Sequence, residues 1–172
     1  ATIYTDLFRG LPLLLVLLLV GLGIPGLRIS WIPNSAVVLG TVALVLTYSA
    51  YVAEVIRAGI EGVNPTQRQA ARALGLTQSQ TLEHVVLPQA FRNVTPPLLN
   101  DLVSLQKDSG LISVLGAVDA IRAAGIQTAQ SFNFTPYLVA GALFVLLTIP
   151  LTRFTDWLTR KQDARQRAQG QW

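Results

Sequence analysis

Residues 36–56 read AVVLGTVALVLTYSAYVAEVI, 21 consecutive residues whose single charge, Glu54, lies near the end. About 20 apolar residues at 1.5 Å rise each cross a hydrocarbon core, so this stretch reads as a membrane-spanning helix. Outward from it, residues 11–25 (LPLLLVLLLVGLGIP) are as apolar but number only 15, and residues 3–8 are read as extending them upstream. Residues 137–157 supply another 21, with Arg153 and Asp156 held to the last turn. A fourth stretch, 98–118, carries Asn100, Asp101, Gln106, Lys107 and Asp108, and hydropathy alone would reject it. The composition agrees with a membrane protein. Of 172 residues, 51% are hydrophobic and 13% charged, against about 25% charged in soluble domains. The expected fold is all-α, a polytopic membrane helix bundle with four visible spans.

Basic residues orient the spans. Arg9, Arg57, Arg68, Arg72, Arg92, Arg160, Lys161, Arg165 and Arg167 fall on one side, Arg28 and Arg122 on the other, and Lys107 and Arg153 inside spans. The positive-inside rule then places the start of the chain, the 57–97 connection and the C-terminal tail in the cytoplasm. This alternation requires 98–118 to cross. Residues 1–158 are read as the transmembrane domain, with 58–97 as its cytoplasmic loop, and 159–172 as a basic, frayed tail. There is no basic leader, and the chain enters its first helix almost at once, so a segment is expected upstream of residue 1.

Whole classes of chemistry are excluded. With no Cys there is no disulfide scaffold, thiolate site or Cys nucleophile, and the single His84, read as a surface or loop-packing residue, allows no paired-His metal motif. The only lysines, Lys107 and Lys161, follow Gln106 and Arg160, so no phosphate-binding G-K-[ST] loop exists. No metal site and no catalytic residue are expected.

The 58–97 connection is not slack. Asn64-Pro65 reads as an N-cap with proline at the first helical position, 66–74 as a short helix, and Gly75 as its left-handed cap. Thr77 and Gln80 fit a capping box that opens a second short helix, which is expected to stop at Leu87-Pro88. In isolation, residues 69–77 also resemble the turn of a DNA-binding helix-turn-helix, which makes a membrane-anchored regulator the alternative. Packed between spans, without a third helix and with only Arg68, Arg72 and Arg92 to meet phosphates, the unit is a poor DNA binder.

The spacing fits another pattern better. Gln69-Ala70-Ala71, three residues, Gly75, nine residues, Val85, one residue and Leu87-Pro88 resemble the EAA loop (E-A-A-x3-G-x9-I-x-L-P) of ABC-importer permeases. Three more stretches are similar to the polar amino-acid permeases of that class. Phe8 to Leu14 is like F-R-G-T-P-L-L, Tyr51 to Arg57 followed by Gly59-Ile60 is like A-Y-x-A-E-x-x-R-x-G-I, and Gln106 to Leu111 is like L-K-D-T-S-L. Gln69, Leu11 and Gly110 depart from the family's Glu, Thr and Ser.

The resemblance implies the type I importer fold with its first span missing. It implies a multi-pass permease of the bacterial cytoplasmic membrane that moves polar amino acids, with its C-terminus in the cytoplasm. Two ATPase subunits, which carry the ATP and Mg, would dock at the 64–88 loops. A second permease, identical or homologous, and an extracytoplasmic amino-acid-binding protein would complete the assembly, and this chain would hold no cofactor. Gln69, Ala70, Ala71, Gly75, Leu87 and Pro88 are the implied coupling residues.

Two clusters remain. Asn100, Ser104, Lys107 and Asp108 fall on one helical stripe, and charges at that depth are costly enough to mark a substrate path, with a structural pair as the rival. Glu54 and Arg57 are a helix-end pair and a candidate gate. A non-transport assembly subunit is a third class, against which the polar fourth span argues.

Overall fold

The computed structural model describes residues 2–28 and 32–169, the side chains of 163 and 165–169 excepted. Among the described residues the chain is helical throughout: α1 (Thr2–Gly10), α2 (Leu13–Gly26), α3 (Ala36–Glu61), α4 (Pro65–Ala73), α5 (Gln78–Leu115), α6 (Ala120–Ser131) and α7 (Thr135–Gln169). Among the described residues two helices, Ala36–Glu61 and Thr135–Gln162, are each long and apolar enough to cross a membrane. The bent pairs α1 with α2 and α5 with α6 pass the same criteria together, for up to four spans.

Two compact units divide the chain, residues 1–51 with 102–152, and residues 52–101 with 153–172. In the first, Val16, Leu17 and Ala43 form the core, and Phe8, Leu11, Leu111, Ile112 and Leu115 pack against it. Here α1 does not extend α2. The two meet at 100°, because Pro12 has no N–H to continue a helix and pushes Leu11 out of the α region. Pro12 instead caps α2, its carbonyl accepting from the Leu15 and Val16 N–H groups. Along α7, Leu138, Val145 and Leu146 are more than half exposed. That apolar surface is one that only lipid or another protein can cover.

The second unit is built around Val63, Val86 and Ala90, with Ile60 against them. Two expectations fail here. The helix opening at Gln78 does not stop at Leu87-Pro88. A π turn at Leu82–Val86 precedes them, and the Leu87 N–H donates to Leu82 O. That wider turn relieves the clash between the Pro88 ring and the carbonyl four residues back, so the helix continues to Asp108. It carries Pro96 and Pro97 in its interior. Most of 58–97 is therefore helical.

The expected span 98–118 is also broken. Its α-helical part ends at Asp108, and Ser109–Leu115 is a 3-10 segment closed by left-handed Gly116. Ser109 competes for the backbone, its hydroxyl donating to Gln106 O. After that break comes α6, which the sequence reading missed. Asp119 caps it by accepting from the Arg122 N–H at 2.8 Å. The expected frayed tail is helical to Gln169, as its Arg, Lys, Gln and Ala content favours; 170–172 lie outside the described residues.

Gly59 lets α3 and α5 approach closely in the second unit. A Cβ there would overlap Val94 Cγ1 and stand 3.3 Å from Ala90 O. Gly59→Ala should cost about 1–3 kcal/mol by overpacking. Gly141→Ala, into open space on α7, should instead stabilise by about 0.5–1 kcal/mol. Thermal unfolding of the purified protein in detergent checks both signs.

Candidate coupling hairpin and polar helix stripe

The hairpin between α4 and α5 is built from local chemistry. Asn64 Oδ1 accepts from the Thr66 N–H at 3.0 Å and from its hydroxyl at 2.8 Å, with Pro65 at the first helical position. At the other end, Leu76 N–H donates to Ala71 O and Gly75 N–H to Arg72 O. Those two bonds define a Schellman turn, with Gly75 at φ +88°. Thr77 then opens α5 with a full capping box, Gln80 N–H to Thr77 Oγ1 and Thr77 N–H to Gln80 Oε1. Helix, glycine turn and second helix are as the sequence indicates.

The six motif residues do not share one environment. Gln69, Ala70, Gly75 and Pro88 are exposed, Leu87 is half-buried, and Ala71 is buried. The alanine pair thus divides its work: Ala71 packs inward, and Ala70 leaves the outer surface low. Beside them Leu74 is 82% exposed at the tip. The helix-turn-helix alternative loses its recognition helix, since the second helix runs on from Gln78 to Leu115 as part of a candidate span.

On α5, Asn100 and Lys107 are exposed, while Ser104 and Asp108 are half-buried. Lys107 and Asp108 diverge, as neighbours about 100° apart on a helix must. Asp108 Oδ2 accepts from Tyr48 Oη at 2.8 Å. Two residues earlier, Gln106 Oε1 accepts from Thr148 Oγ1 at 2.9 Å. Sequence reasoning missed Tyr48 and Thr148. The available signal was the cluster Thr47-Tyr48-Ser49 inside an otherwise apolar run. Glu54 and Arg57 do meet, at 3.7 Å and one helical turn apart. Both are about one-third exposed, where such a pair contributes at most about 1 kcal/mol. Among the described residues no group of His, Cys, Asp or Glu could hold a metal ion.

Residues 1–165 match the family described as binding-protein-dependent transport system inner membrane component, and the chain belongs to it. It is 38% identical to the arginine transport system permease protein ArtQ of Bacillus subtilis over 162 residues, 94% of this chain and 73% of that one. To the putative glutamine transport system permease protein GlnP of Rickettsia conorii it is also 38% identical, with the same coverage. Among solved structures, an amino acid ABC transporter crystallised with histidines superposes with a TM-score of 0.85 at 37% identity, over 93% of this chain and 74% of that one.

The glycine turn is directly testable. Nothing lies within 4 Å of a Cβ built at Gly75, so any penalty there comes from the backbone. Gly75→Val should destabilise the hairpin by about 1–2 kcal/mol, and Gly75→Asn by less. Amide hydrogen exchange over residues 64–82 should rise in that order.

Proposed function

We propose that this chain is the permease subunit of an ATP-driven importer that carries polar amino acids across the bacterial cytoplasmic membrane. The observation that carries this reading is the Schellman-and-capping-box hairpin at Asn64–Gln80, set between candidate spans in a chain of the transport family. Two ATPase subunits dock at the hairpins of this chain and of a second permease, identical or homologous, and they hold the ATP and Mg. These 172 residues contain no phosphate loop, so the motor lies outside them. A binding protein outside delivers the amino acid. Closure of the ATPases moves the hairpins and rocks the spans between inward and outward access.

Within this reading, Gln69, Ala70 and Gly75 form the contact surface, and Ala71 and Leu87 fix it from within. Pro88, behind the π turn, sets the path of α5. The substrate path runs past Asn100, Ser104, Lys107 and Asp108. Asp108, aligned by the Tyr48 hydroxyl, meets the substrate's ammonium group. Lys107 lies on another face of the helix, so the two charges do not flank one zwitterion from a single chain. Glu54 and Arg57 tie the end of α3 and open when the hairpin moves.

Orientation is tested by single cysteines, for which the native chain supplies a clean background. A cysteine at Gln78 should be shielded from impermeant thiol reagents added outside, whereas cysteines at Asn34 and Gln127 should react. Labelling of position 78 from outside would overturn the importer reading.

The path is tested by uptake into membranes matched for assembled complex. A charge-assisted hydrogen bond contributes about 1.5–3 kcal/mol, so Asp108→Asn should weaken substrate engagement roughly ten- to a hundredfold. Tyr48→Phe should fall between it and wild type, and Lys107→Gln should lose less than Asp108→Asn. Unchanged uptake in both single-charge variants would sink the assignment.

A further inference from the structure

The hairpin encloses a cleft that the coupling motif leaves unused. Arg68, Arg72, Gln78, Thr81, Leu82 and Val86 line a cavity of about 300 Å³. Arg68 and Arg72 are four residues apart on α4, so both guanidinium groups stand over the same face. Arg68 donates through a terminal nitrogen to Ile60 O, but its Nε is buried with no partner among the described residues. Thr81 is only 5% exposed, and its hydroxyl is likewise unpartnered. Between Arg68 and Val86 the one acid is Glu83, which is exposed and does not line the cavity. Two cations, a buried hydroxyl and an amide thus face one cavity whose lining holds no anion. Like charges at this spacing repel, and a buried polar atom without a partner costs free energy, so the cleft as it stands is incomplete.

We infer that this cleft receives a carboxylate side chain of the ATPase subunit, the two arginines clamping it and Thr81 completing its hydrogen bonds. This rests on the importer reading, and deepens it. The residue at the head of the loop, Gln69, is neutral where the family pattern it resembles has Glu. The charge of the contact here is therefore carried with opposite sign, three positions further on at Arg72 and one before at Arg68: the permease brings the cations and the ATPase the acid. Guanidinium forks suit a carboxylate bidentately, which gives register as well as attraction.

The test titrates purified ATPase subunit onto the permease assembled in lipid nanodiscs. Arg72 is exposed and has no partner among the described residues, so replacing it leaves the fold intact. Arg72→Glu should weaken ATPase binding roughly tenfold at low salt, with the difference shrinking as salt rises, and Arg72→Lys should recover part of it. Thr81→Val is the second variant. A merely structural hydroxyl without a partner predicts neutral or stabilising replacement, whereas a ligand to the carboxylate predicts weaker binding at unchanged thermal stability. Inorganic phosphate exchanged for chloride at equal ionic strength should compete with the ATPase on the wild type and not on Arg72→Glu. Equal ATPase affinity in wild type, Arg72→Glu and Thr81→Val would overturn the cleft alone, as would phosphate binding that leaves ATPase affinity unchanged. Failure of the wild type to bind any ATPase would remove the importer reading beneath it.

Discussion

A backbone entering hydrocarbon must satisfy every N–H and C=O within the protein, because no water is there to do it. That single constraint accounts for most of what the helices do. It keeps α3 unbroken for 26 residues. Where prolines meet helices, the chain answers Pro88 with a π turn and Pro12 with a cap. At Pro88 the π turn Leu82–Val86 shifts a hydrogen bond by one residue and the helix survives. At Pro12, with Gly10 and Leu11 before it, the chain turns through 100° instead and starts again.

The hairpin obeys the same rule in a polar setting. Each helix end is closed by a bond that the sequence encodes nearby: Asn64 for the start of α4, Gly75 for its end, Thr77 with Gln80 for the start of α5. The unit keeps its shape with a small core of Val63, Val86 and Ala90. Its outer surface is left with Ala70, Leu74 and the glycine, which present little bulk and one apolar tip.

What could be read in advance follows the range of the interactions. Caps, boxes and the Schellman turn depend on residues within six positions of each other, and those of the hairpin, at Asn64, Gly75 and Thr77 with Gln80, are legible in the sequence, whereas the Asp119 cap of α6 is not. The apolar runs of α3 and α7 were equally plain. Less local features escaped. The helix past Leu87-Pro88 was read as a stop, since proline at that point usually is one and nothing nearby announces a π turn. Residues 3–8 were added to the first span because hydropathy has no term for the bend at Pro12. The Asp108 partner escaped because Tyr48 stands 60 positions away, and an apolar run conceals which of its hydroxyls will face another helix. For the same reason Lys107 and Asp108 looked like one site, although helical geometry turns consecutive residues apart.

Pro96 and Pro97 have a mechanical meaning for α5. Each lacks the N–H that would have met the carbonyl four residues back, so the Arg92 and Asn93 carbonyls lose their ladder donors in succession. A helix resists bending through that ladder, and here two adjoining rungs are missing at once. The stiffness of α5 is therefore lowest at its middle, between the segment that carries the hairpin's core residues and the segment that carries Ser104 and Asp108. Bending strain applied at either end collects at this turn and not at the capped ends.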